Sequence, residues 1–174
     1  LVRAAAGPDA PLAAWRRYLA FPGAATADEG ERRLYPLVGG RLAGQSLSAA
    51  EEAPIKAQRR AATVRQAVLF DAAARIDDLL RPAGVTPVFL KGLALQIRVF
   101  RERAIPACSD VDIFVAPNAL APCLRTVEAA GWTRVEAWPR TGDPQVMARV
   151  LTQANYRMPN RVMVDIHWMP RAVM

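Results

Sequence analysis

Apolar positions change their spacing once along this chain. Up to about Ala83 they recur every three or four residues, the period of a helix with one buried face. Pro11–Ala20 is a short amphipathic segment, and Asp28–Arg41 opens on acidic residues, as a helix N-terminus prefers. Pro36 and Gly39–Gly40 are expected to break that second segment. A longer helix is predicted from Ser48, which Glu51 follows at capping-box distance. Its stripe is Val64, Val68, Ala72, Ile76 and Leu79, and Pro82 and Gly84 end it.

From Val85 the pattern shortens. Val85–Leu90 reads as a buried strand, followed at once by Lys91–Gly92 and a helical LALQIRVF that Pro106 closes. Asp110–Val115 alternates polar and apolar, which predicts a half-buried strand with Val111, Ile113 and Val115 turned into the core. A helix from Pro117 to about Ala130 is capped by Gly131, and a strand is expected over Trp132–Ala137. Gln145–Leu151 reads as a short helix. Gln153–Met158 and Val162–Trp168 read as a hairpin about Pro159–Asn160. The order predicts an α+β fold: a helical N-terminal region over 1–83, then a small mixed sheet flanked by helices over 84–174.

Composition narrows the classes. A chain of 174 residues, 52% of them hydrophobic and 22% charged, has enough apolar side chains for a buried core. No apolar run reaches the roughly 18–20 residues that span a bilayer, and no basic-then-apolar leader opens the sequence, so no membrane and a cytoplasmic location are expected. Cys108 and Cys123 are too few for a disulfide framework or a zinc site. One histidine, His167, leaves no room for a histidine-rich metal centre. The net charge of +7 invites a polyanion, but its arginines are spread along the whole chain rather than gathered in a stripe.

Three short stretches carry candidate chemistry. Asp110 and Asp112 are two apart, so a strand projects both carboxylates from one face. Like charges so placed repel unless a cation lies between them, and Mg²⁺ takes oxygen ligands while sharing its site with phosphates. The same spacing also arises in two solvated acids at a strand end, the commoner case. Lys91–Gly92, between a strand and a helix, suits a phosphate: glycine permits close backbone approach and the lysine adds a point charge; it equally suits a plain β–α turn. Asp165 interrupts an apolar strand, where a buried charge is costly without a partner. A metal or one of the many arginines would meet that need. His167, on the same face, reads best as a hydrogen-bonded structural residue.

Together, VFLKGLAL, SDVDIFV, the helix ending in AAGW, and VDIHW resemble an uncharacterised bacterial nucleotidyltransferase family of the DNA polymerase beta-like superfamily, over roughly residues 30–170. ERRLYPLVGGRL is similar to that family's helical N-terminal region. The resemblance implies Mg²⁺ (or Mn²⁺) held by Asp110, Asp112 and Asp165, with Asp165 helping to activate the attacking hydroxyl. It also implies a nucleoside triphosphate, ATP among the candidates, held by Gly92 and Lys91. The implied reaction moves a nucleoside monophosphate to an acceptor (small molecule, protein or RNA) and releases pyrophosphate. Leu93 stands where many members carry a small or hydroxylated residue, and Pro106 and Ala107 stand where the family usually carries an arginine. The chain stops soon after Asp165, which suggests a catalytic core truncated at its C-terminus. A catalytically degenerate nucleotide- or partner-binding protein is the alternative; a nucleic-acid-binding module rests on charge alone.

Overall fold

The computed structural model describes residues 1–7, 10–100, 108–135 and 151–169. The chain divides into two compact units, Leu1–Gln66 with Gln96–Ala107, and Ala67–Leu95 with Cys108–Met174.

The first unit is helical. It holds α1 (Val2–Ala6), α2 (Pro11–Leu19), α3 (Glu29–Arg32), α4 (Tyr35–Arg41) and the start of α5 (Ala49–Leu80). Trp15, Val38, Tyr35, Leu42 and Ile55 form its core. Trp15 stacks on Tyr18 at 5.5 Å between ring centres and meets Tyr35 edge-on at 5.2 Å, while its indole N–H donates to the Glu51 carbonyl at 3.1 Å. The Asp28 side chain caps α3 by accepting from the Glu31 amide. The capping box at α5 is present in both directions: the Glu51 amide donates to Ser48 Oγ at 3.3 Å, and the Ser48 amide to Glu51 Oε2 at 2.7 Å. Pro36 follows the break between α3 and α4. It lies in the first turn of α4, where a missing N–H costs nothing. Gly39 and Gly40 sit inside α4, and a Cβ on Gly39 would lie 2.4 Å from Ile55 Cγ2, so that glycine lets α4 approach α5 closely.

The second unit is a five-stranded sheet with helical cover. Its strands are β1 (Val88–Phe89), β2 (Val111–Phe114), β3 (Thr133–Arg134), β4 (Gln153–Arg157) and β5 (Met163–His167), ordered β1-β2-β5-β4-β3. Only β2 and β5 run parallel; the other pairs are antiparallel. Parallel neighbours need a long crossover, and here it includes α7 (Leu120–Ala129), β3 and β4. One sheet face is wholly apolar: Val111, Val164 and Tyr156 form one row across three strands, and Ile113, Ile166 and Ala154 the next, all fully buried. Against this core lie Leu120, Cys123, Leu124 and Val127 of α7 and Leu69, Ala72, Ala73, Ile76 and Leu80 of α5.

Two expectations change. In the second half of α5 the buried stripe runs from Leu69, stepping by three and four to Leu80, and leaves Val64 and Val68 exposed. The strand expected over Val85–Leu90 shrinks to two residues at the sheet edge, with Val88 exposed, because it has a neighbour on one side only. Trp15 and Trp168 are fully buried and serve the cores; Trp138 lies outside the described residues. The helix expected over Gln145–Leu151 lies, but for Leu151, outside them too. No helix among the described residues is long and apolar enough to cross a membrane.

Candidate metal centre

The opposite face of the sheet carries the polar residues. Because β2 and β5 pair in register, Asp112 stands directly beside Asp165, and Asn155 of β4 stands on Asp165's other side. The next row holds Phe114, His167 and Gln153. Alternation along each strand produces this segregation: the residues that fill the core are odd-numbered on β2 and even-numbered on β4 and β5.

Asp112 is only 5% exposed, and a carboxylate so buried requires partners. It has two. The Lys91 ammonium donates to Asp112 Oδ1, and His167 Nε2 lies 2.9 Å from the same oxygen. Lys91 Nζ is 3.5 Å from His167 Nε2, so the ammonium and the imidazole meet side by side at one carboxylate oxygen. Donor atoms of Asp112, Asp165 and His167 all fall within 4.8 Å of one another. Asp110 precedes β2 at a bend, half-buried, with Ser109 Oγ donating to it at 3.3 Å. It stands apart from that trio, yet its charge reaches both Lys91 and Asp165.

The charges do not balance. Burial raises the Asp165 pKa, and the neighbouring carboxylates of Asp112 and Asp110 raise it further, against the weaker pull of His167 and Lys91. The hydrogen bond to Asp112 raises the Lys91 pKa and so holds the ammonium charged. Among the described residues the ion pairs of these three acids are those of Asp112 with Lys91 and His167, and no arginine pairs with Asp165. A divalent cation fits this donor set. Carboxylate oxygens suit Mg²⁺ and Mn²⁺, and an imidazole is acceptable to Mn²⁺.

Lys91 opens α6 (Lys91–Leu95) with φ +44°, the left-handed region that a non-glycine residue seldom occupies. Gly92 is packed from one side: a Cβ there would lie 2.6 Å from Cys108 Cβ. The missing side chain therefore admits the segment that leads into Asp110. Leu93 is 1% exposed and belongs to the core, which accounts for a large apolar residue at that position. Arg98 is exposed in the π-helical turn Gln96–Phe100 after α6. Arg101, Arg103, Pro106 and Ala107 lie outside the described residues.

Of the residues expected at the site, the structure brings Lys91, Asp112 and Asp165 together, places Asp110 just beyond them, and turns Gly92 toward Cys108. His167 joins them as a third donor. The signal for it was its place two residues after Asp165, on the same face of the strand. Gln153 and Asn155 on β4 were missed; their alternation with buried Ala154 and Tyr156 marks them as the polar side of that strand, and Gln153 Nε2 donates to Asn155 Oδ1 at 3.3 Å.

This is a mixed α+β domain with clustered carboxylates on adjacent inner strands, the architecture of a nucleotidyltransferase core. The chain belongs to a family of uncharacterised nucleotidyltransferases, whose family model matches residues 30–172. Membership supports nucleotidyl transfer as the general activity. No curated protein and no solved structure matches the chain.

Proposed function

We propose that this protein moves a nucleoside monophosphate from a nucleoside triphosphate to an acceptor hydroxyl or phosphate, with a divalent cation, and releases pyrophosphate. The observation that carries the reading is the in-register pairing of Asp112 with Asp165 on parallel β2 and β5, with His167 in the next row. Asp110, Asp112 and Asp165 would hold Mg²⁺ or Mn²⁺. Such an ion neutralises phosphate charge and orients the attacking and leaving oxygens of an in-line displacement.

The chain's own groups supply the rest. Lys91 and Gly92, at the turn from β1 into α6, hold the triphosphate. Asp165 takes the proton of the attacking hydroxyl as the acceptor oxygen bonds to the α-phosphorus. The bond to the bridging oxygen breaks, and its electron pair leaves with pyrophosphate.

The test is incubation with α-labelled nucleoside triphosphates and Mg²⁺ in the presence of candidate small molecules, proteins and RNA. Label should pass to an acceptor, and Asp112→Asn and Asp165→Asn should each lower the rate by a factor of a hundred or more, taking each as about 2.7 kcal/mol of lost transition-state stabilisation. Full activity in both variants would rule out the site. Nucleotide binding without label transfer by any acceptor would support the non-catalytic alternative.

A further inference from the structure

We propose that Lys91 is the resident cation of this site, that a divalent ion displaces it from Asp112, and that the released ammonium then engages the phosphates of the nucleotide. The inference rests on the metal-site reading above and goes beyond it: metal and nucleotide binding become coupled through one side chain.

The geometry carries it. The Lys91 ammonium contacts Asp112 Oδ1 and lies 3.5 Å from His167 Nε2, two of the three donors that define the candidate metal centre. An ion bound to both would compete for the space the ammonium fills. The Lys91 side chain is 59% exposed, while the Asp112 side chain is 6% exposed. The lysine is thus free to swing out, while the acid is fixed and needs a cation in its place. Residue choice agrees. The chain has 23 basic residues, of which only Lys56 and Lys91 are lysines. An ammonium is a compact charge that can stand in for an ion, whereas a planar guanidinium pairs by a broad two-pronged face. Before displacement Lys91 makes up part of the charge deficit of three carboxylates; afterwards it needs an anion, and a triphosphate provides one.

The two lysines make the idea directly measurable. Protein labelled with ¹³C at lysine Cε should show two signals, with Lys91→Met identifying the one from Lys91. Lys56, paired with Glu52 on α5, serves as the internal reference. Added Mg²⁺ should shift and sharpen the Lys91 signal and leave that of Lys56 in place. A non-hydrolysable nucleoside triphosphate added next should broaden or shift it again. In parallel, Lys91→Met should bind Mn²⁺, followed by paramagnetic resonance of the free ion, about tenfold more tightly than wild type if the lysine vacates the site in about a tenth of molecules. Mn²⁺ binding together with a Lys91 signal that saturating Mg²⁺ leaves unmoved, or equal Mn²⁺ affinity in Lys91→Met and wild type, would overturn this inference and leave the metal site standing. No Mn²⁺ binding by either protein would overturn both.

Discussion

Asp112 and Gly92 show two ways a single residue is held to its place. Asp112 is buried with two partners, a lysine and a histidine, brought to it from 21 and 55 residues away. The D-x-D spacing announces two acids on one face; it does not say which becomes buried, since that depends on where β5 and α6 pack. Gly92 presents the reverse case. A phosphate or a plain β–α turn would each suit a bare residue here, whereas the close neighbour in the fold is Cys108 Cβ. Gly92→Ala forces those atoms apart, and overpacking of this kind costs about 1–3 kcal/mol. Urea unfolding should show the loss, and the double variant Gly92→Ala with Cys108→Gly should recover most of it. A Gly92→Ala protein as stable as wild type would mean that the Cys108 segment moves aside at no cost.

At the scale of elements, local chemistry was legible and neighbour-dependent structure was not. The capping box at Ser48, the strand over Val111–Phe114 and the hairpin of β4 and β5 each follow from residues within a few positions of one another. The short edge strand β1 depends on partners elsewhere. The cap of α5 can be tested by pH. Its Glu51 carboxylate is held at about 2, against an ordinary 4.5, first by the hydrogen bond from Arg16 and then by the Ser48 amide. A depressed folded-state pKa means that the unfolded chain binds more protons in this window, so stability rises with pH there. The contribution is fully present above the ordinary value and is lost as pH falls through it toward about 2. Chemical unfolding of wild type and Glu51→Gln across that window should show the two stabilities converging at the acid end. Ser48→Ala removes one half of the box and should cost about 1 kcal/mol at neutral pH. Parallel pH profiles for wild type and Glu51→Gln would show that Glu51 contributes nothing to the cap.

For the molecule as a whole, the telling fact is where its negative charge gathers. The chain carries a net charge of +7, yet Asp112 and Asp165 stand side by side on one sheet face, with Asp110 just before β2 and Lys91 paired to Asp112. Alternation along each strand revealed which residues share a face. The register that sets Asp112 beside Asp165 comes from pairing strands more than 50 residues apart, and no short-range pattern encodes it. Such crowding opposes folding: Asp165 is partly buried, and two like charges stand near it. Replacing it with asparagine removes the repulsion and keeps the shape, so metal-free Asp165→Asn should melt at a higher temperature than the metal-free wild type, as when a functional group is kept at the expense of stability. Adding Mn²⁺ should reverse the order. An ion bound only by the folded state stabilises it by about 2.7 kcal/mol at a hundred times its dissociation constant, and the wild type retains all three acids to bind it. Calorimetric scans of both proteins with and without Mn²⁺ give the four melting temperatures required. If Asp165→Asn melts below wild type without metal, the carboxylate is held by favourable contacts, and its placement beside Asp112 does not express a site short of a cation.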